Sequence, residues 1–261
     1  MARPIFSAMA VFGLFEVLGF NAFCQPAPSP PAGWLTACRG GAERVQAPSP
    51  FVNVASALRE NKSVTIFTIG ANSNISHFSN EGGSYSIVER YLENNFKGID
   101  VKIIDAGASG EMASDGGERI RTEAALTHVN LVVWQVGTAD ALARIPVDEF
   151  SANVTETLTW LKGHRIDVIL VGLRYARAMS KDAHYQSIRA ALRKVAEMQK
   201  VLLISRYEAE ETLDRLKAER HEDRMVGMPE TDIDYDCVAD NVARAIASGL
   251  VMKGETPRAA R

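Results

Sequence analysis

Five short runs rich in apolar and β-branched residues recur along this chain, alternating with segments that carry the spacing of amphipathic helices. The runs span residues 64–69, 101–105, 131–136, 168–173 and 201–205. Helix-period segments lie at 85–96, 118–126, 147–162, 184–199, 208–220 and 237–250, with a shorter one at 54–60. In the segment 85–96, Ile87, Val88, Tyr91 and Leu92 fall on one face. Strands joined through helices of this length do not pair as hairpins; they fit right-handed crossovers between parallel strands. Such a sheet is covered on both faces, so its strands read as continuous apolar runs. The pattern predicts one α/β domain over 51–250, a three-layer, doubly wound parallel sheet.

In a sheet of this kind the turns after the carboxyl ends of the strands gather on one edge, where open α/β folds bind ligands. Three of these turns are polar or glycine-rich. Gly70-Ala71-Asn72-Ser73-Asn74 follows the first strand, and Gly107-Ala108-Ser109-Gly110-Glu111 follows the second. Gly137-Thr138-Ala139-Asp140 is reached through Trp134-Gln135-Val136. Glycines here let backbone amides approach a ligand. None of the turns has the spacing of a dinucleotide fingerprint, a phosphate loop, a zinc-protease helix or a G-x-S-x-G elbow, so no cofactor is expected. With 29 basic against 32 acidic residues and a formal charge of −3, the chain lacks the basic footprint of a nucleic-acid binder.

The ends of the chain differ from the middle. Arg3 is the only charge before Glu16 in an otherwise largely apolar start. Residues 1–24 read as a signal peptide, with an uncleaved membrane anchor as the alternative. Residues 25–50 form a proline-rich linker and lead-in, and 251–261 a disordered polar tail. Export to the periplasm or the extracellular space follows, with no membrane span left after signal removal. It suits Cys38 and Cys237, either a disulfide closing a loop of about 200 residues or two buried thiols.

The stretches VTIFTIGANSNIS, IIDAGASGE, LVVWQVGTADAL and DIDYDCVADNVARAI occur in that order. Together, over 38–250, they resemble the successive blocks of the SGNH/GDSL hydrolases, an esterase and lipase family, in its bacterial secreted branch. The third is the most specific, being similar to W-Q-x-G-T-N-D-A-L. The resemblance implies a flavodoxin-like SGNH-hydrolase fold. It also implies a site built from a serine, an oxyanion glycine and asparagine, and an Asp-x-x-His pair. Carried over position by position, the oxyanion glycine is kept as Gly110. The serine falls on Asn72, the asparagine on Ala139, the histidine on Pro229 and the aspartate on Val226. An independent count agrees: the residues three before His77, His128, His164, His184 and His221 are Asn74, Ala125, Leu161, Lys181 and Ala218, none acidic.

Loss of the serine or histidine from such a triad costs on the order of 10⁶ in turnover. Loss of one oxyanion donor costs about 10²–10³. The expectation is a catalytically impaired binding or accessory module, with Asn72, Gly110, Thr138 and Asp140 around a cleft for a small-molecule or saccharide ester. The alternative is an active hydrolase of acyl or acetylated-saccharide esters, with Ser73 as displaced nucleophile and His77 as its base. Against that, Ser73 and Asn74 suit a turn that satisfies its own backbone. Glu230, Asp232, Asp234 and Asp236 suit either a hard cation or the start of the last helix, and the expected metal content is none. Arg174-Tyr175-Ala176-Arg177 either lines the cleft or is a plain loop. Oligomeric state leaves no signal in the sequence.

Overall fold

All five apolar runs become strands, and every connection between them carries a helix. The computed structural model describes residues 51–60, 63–70, 86–95, 98–220 and 230–251. In chain order the elements are α1 (Val52–Glu60), β1 (Ser63–Gly70), α2 (Ser86–Asn95), β2 (Asp100–Gly107), α3 (Ala113–Leu126) and β3 (Leu131–Gln135). They continue with α4 (Thr138–Leu142), α5 (Val147–Gly163), β4 (Asp167–Val171), a 3₁₀ turn (Arg177–Met179), α6 (Ala183–Gln199), β5 (Leu202–Ile204), α7 (Arg206–Arg220) and α8 (Glu230–Val251).

The sheet is parallel throughout, in the order β2-β1-β3-β4-β5. The chain winds one way from β1 to β2 and the other way from β3 onward. The carboxyl ends of β1 and β3 therefore flank the topological switch point, where such sheets leave a crevice. Register brings Gly70 opposite Gly107 and Ile69 opposite Trp134. The doubly wound expectation is met.

Period-two alternation divides the strands between two cores. Val132 and Trp134 of β3 point to one face, against Ile120 of α3, Phe150, Val154 and Leu158 of α5, and Ile188 and Leu192 of α6. Leu131 and Val133 point to the other, against Val54 of α1, Val88 and Leu92 of α2, and Val242 and Ile246 of α8. All of these side chains are buried. Asp167, the first residue of β4, fixes α1 from a distance. Its Oδ2 accepts the amides of Asn53 and Val54 at 2.9 Å each, and its Oδ1 accepts Asn53 Nδ2 at 2.9 Å. Those amides have no partner within their own helix, so a remote carboxylate takes the place of a capping residue. Burial pushes the Asp167 pKa up, opposed by these same bonds.

Element boundaries moved where packing outweighs local preference. The third helix starts at Ala113 instead of 118, and the two glycines within its opening turns, Gly116 and Gly117, are contact points. A Cβ on Gly116 would lie 3.0 Å from Trp134 Nε1, and one on Gly117 2.5 Å from Thr157 Oγ1. Bare backbone lets α3 settle onto both. The last helix starts at Glu230 instead of 237, so Asp232, Asp234 and Asp236 fall within its opening turns. The strands predicted at 168–173 and 201–205 end sooner, at Val171 and Ile204. No helix of the described residues is long and apolar enough to cross a membrane.

Candidate functional site

The switch point is built on a close approach of two strand ends. Gly70 has φ +110°, and a Cβ there would lie 2.1 Å from the Gln135 carbonyl oxygen. Its own carbonyl accepts the Ala108 amide at 3.0 Å, which carries the tie across to the turn after β2. Two residue pairs earlier in the ladder, Thr68 Oγ1 donates to Asp105 Oδ1 at 2.9 Å. Asp105 Oδ1 also lies 3.3 Å from the Gly107 amide, which begins the turn. The ends of β1, β2 and β3 are thus locked together at backbone level.

Gly110 sits in the turn after β2 with φ +77°, and a Cβ there would meet nothing within 4 Å. Conformation, not crowding, calls for glycine at this position. The next residue, Glu111, tucks its carboxylate against Arg119 of α3, and Arg119 also donates to the Ala106 carbonyl at 2.6 Å. The Glu111 side chain is buried while Arg119 reaches solvent. One oxygen of Glu111, Oε2, is buried without a partner among the described residues.

Asp140 holds the far side of this turn. It lies in the first turn of α4 at 1% exposure, and its Oδ1 accepts the Ala113 amide at 2.9 Å. That amide opens α3, which has no capping side chain of its own. One carboxylate therefore fastens the end of β3 to the Gly110 turn. Its Oδ2 is buried without a partner among the described residues. Burial pushes the Asp140 pKa up; backbone hydrogen bonds from Ala113, Asp140 and Gly137 oppose that shift.

The sign of the linkage follows from that direction. Below the ordinary aspartate pKa both the folded and unfolded chains hold this proton, and it has no effect on stability. As pH rises from there through the raised folded value, the unfolded chain releases its proton first, so Asp140 lowers stability across that window. Asp140→Asn should flatten this part of the pH dependence and stay within about 1 kcal/mol of the native protein at neutral pH. Asp140→Ala orphans the Ala113 amide and should lose about 1–3 kcal/mol. Urea melts of the three proteins at pH 5 and pH 7 check both outcomes.

Behind the crevice lies a buried ion pair that the sequence reading did not single out. Arg206 follows β5 at 2% exposure and donates from Nε to Glu210 Oε1 at 2.6 Å; Glu210 is 7% exposed. A second nitrogen of Arg206 donates to Gln135 Oε1 at 3.0 Å. Glu210 Oε2 accepts the Tyr175 amide, and Arg174 Nε lies 3.7 Å from Glu210 Oε1. Beside it, Thr138 Oγ1 accepts the Arg174 amide at 3.1 Å, while the Tyr185 hydroxyl donates to the Arg174 carbonyl at 2.6 Å. Burial pushes the Tyr185 phenol up to about 12. Arg177 pairs with Asp214 at 2.8 Å, and the Tyr175 and Tyr207 rings meet edge to face. The 174–177 segment is held by α7 carboxylates, so loop architecture accounts for its charges. Arg206 and Glu210 stand at i,i+4 directly after a strand, the one signal that pointed to them.

Of the candidate residues, Gly110, Thr138, Ala139 and Asp140 come together on the carboxyl edge. Thr138 and Ala139 are half-buried, and the Asp140 carboxyl serves α3. Asn72, Ser73, His77, Val226, Pro229 and Cys38 lie outside the described residues, as does the side chain of Cys237. Among the described residues no histidine side chain is hydrogen-bonded to a serine or a carboxylate, and no group of acidic, histidine or cysteine side chains forms a metal cluster. What the described residues provide is a turn at the carboxyl edge of the sheet, fastened to the end of β3 by the Asp140 carboxylate.

Sheet order, the Gly110 turn and the β3–α4 corner together define an α/β fold of the SGNH/GDSL hydrolase class. Within it the chain belongs to the Non-GDSL lipase-like family, whose model matches residues 37–252. Among solved structures it is similar to LAE5, an alpha/beta hydrolase enzyme from the metagenome of Lake Arreo, Spain. That match has 17% identity and a TM-score of 0.56, and covers 71% of this chain and 95% of that one. It is also similar to Axe2, an acetylxylan esterase from Geobacillus stearothermophilus, at 17% identity and a TM-score of 0.57, covering 76% and 97%. At these identities the likeness carries the fold alone. No curated protein matches the sequence.

Proposed function

We propose that this chain is an exported SGNH-type protein that has given up serine ester hydrolysis and uses the carboxyl-edge crevice to bind a ligand. The observation that carries the reading is Ala139. It occupies the opening of α4, between Thr138 and the buried Asp140, where the family resemblance puts an oxyanion asparagine. A methyl group has no proton to donate to a developing oxyanion. The Gly110 turn opposite is kept and fastened by Asp140. Loss of that donor lowers turnover by about 10²–10³ on its own and leaves the scaffold able to bind. The replacements at Asn72, Val226 and Pro229, read from the sequence, point the same way.

Small acyl esters or acetylated saccharides are the ligand class proposed, supported by the fold shared with an acetylxylan esterase. Residues 1–24 are proposed as the export signal, 25–50 as linker, 51–250 as the domain and 251–261 as tail. The test is hydrolysis of p-nitrophenyl acetate and butyrate and of acetylated xylo-oligosaccharides by the purified protein. Turnover at the level of buffer is expected, unchanged by Ser73→Ala. Sustained turnover that Ser73→Ala abolishes would instead establish a displaced nucleophile.

A further inference from the structure

An open cavity among the described residues lies on the amino edge of the sheet, opposite the carboxyl-edge turns. It encloses about 520 Å³ between α1 and the carboxyl ends of α3 and α5, a volume that suits one or two sugar rings. Its polar groups are of both kinds. Asn130 is 8% exposed and uses Oδ1 to accept the Thr65 amide at 2.8 Å, which leaves its amide nitrogen as a donor. Arg165 lines the cavity with no ion pair or hydrogen bond from its side chain among the described residues, on a backbone with φ +59°. Asn53 has its nitrogen bound to Asp167, which leaves its carbonyl oxygen as an acceptor. Glu60 accepts Ser56 Oγ on one oxygen and keeps the other. Trp160 and His164 stack with centroids 3.8 Å apart, and both line the space.

Charge narrows the ligand class. Two helices end at this edge, and their carbonyl ends together with Glu60 disfavour a bare anion. The Arg165 guanidinium disfavours a cation. Donors and acceptors in one small space, beside aromatic rings and the methyl groups of Ala124 and Ala125, match a neutral polyol with both hydroxyls and a C–H face. We infer that this cavity is a saccharide-binding site, separate from the carboxyl-edge crevice. It is served by Asn130, Arg165 and Asn53 as hydrogen-bonding groups, with Trp160 and His164 as its aromatic wall.

The test is saturation-transfer-difference NMR on the full chain with xylobiose, cellobiose and maltose, each titrated into the millimolar range. Saturable transfer to at least one of them is expected. Ala125→Trp, at an exposed position on the cavity wall, should abolish it without lowering the melting temperature. Arg165→Gly removes the guanidinium and relieves the positive φ, so it should weaken binding about tenfold while the protein becomes no less stable. No saturable transfer from any of the three would overturn the inference. So would transfer that survives Ala125→Trp, which would put the sugar in the crevice on the other edge.

Discussion

Gly70→Ala is expected to leave almost no folded protein. The added methyl group would lie 2.1 Å from the Gln135 carbonyl oxygen and 2.7 Å from its Cβ. Both are parts of a central strand, buried on each face and paired on each side, so neither has room to yield. The φ of +110° adds backbone strain that an L side chain rarely accepts. Relief requires β1 to part from β3, which breaks the ladder where Ile69 faces Trp134. A loss above about 4 kcal/mol belongs to this class of overpacking and strain, against a typical total of about 5–15 kcal/mol. Gly110→Ala is the internal control. It also has a positive φ, +77°, but meets open space, and should lose only about 1–2 kcal/mol. Soluble yield and thermal melts of the two variants separate clash from strain; a Gly70→Ala protein as stable as Gly110→Ala would refute the close approach.

The second large effect is expected from the buried pair. Arg206→Ala leaves the Glu210 carboxylate, 7% exposed, without the guanidinium bonded to it at 2.6 Å. Removing one partner of a buried pair costs about 3–5 kcal/mol, because the remaining charge stays desolvated. It also loses the 3.0 Å bond to Gln135 that joins β5 and α7 to the end of β3. Replacing both partners, as in Arg206→Met with Glu210→Met, removes the stranded charge and should recover much of that loss. The Tyr175 amide, which Glu210 accepts, would still lose its partner, so recovery will be incomplete. Urea melts of the native, single and double variants give the coupling directly. Additive losses would mean that the two side chains do not act as a pair.

The fold was legible because it depends on period. Apolar strand runs and 3.6-residue helices announced the crossovers, and the three glycine-bearing turns fell on one edge as a parallel sheet demands. Boundaries were lost where tertiary contact overrules local preference. Gly116 and Gly117 look like a helix breaker but are the places where α3 touches Trp134 and Thr157. The five-residue α4 is too short to show a period at all. Gly110 and the Thr138-Ala139-Asp140 corner were expected on the carboxyl edge through the blocks they stand in, and lie there. The use of Asp140 was not, because its partner, the Ala113 amide, is 27 residues away and leaves no mark on the sequence. Arg206 and Glu210 were passed over for a similar reason. A buried Arg–Glu pair at i,i+4 is spelled like any solvated helix pair, and only burial distinguishes them.

The proposed function has the nucleophile lost from a scaffold that is retained. Its most direct test is a fluorescent fluorophosphonate, which labels an activated serine irrespective of substrate. The purified native chain should remain unlabelled. A variant restoring the family set, Asn72→Ser with Ala139→Asn, Val226→Asp and Pro229→His, serves as comparator and should take up the probe at residue 72. Stoichiometric labelling of the native protein, mapped to Ser73 and removed by Ser73→Ala, would contradict the account.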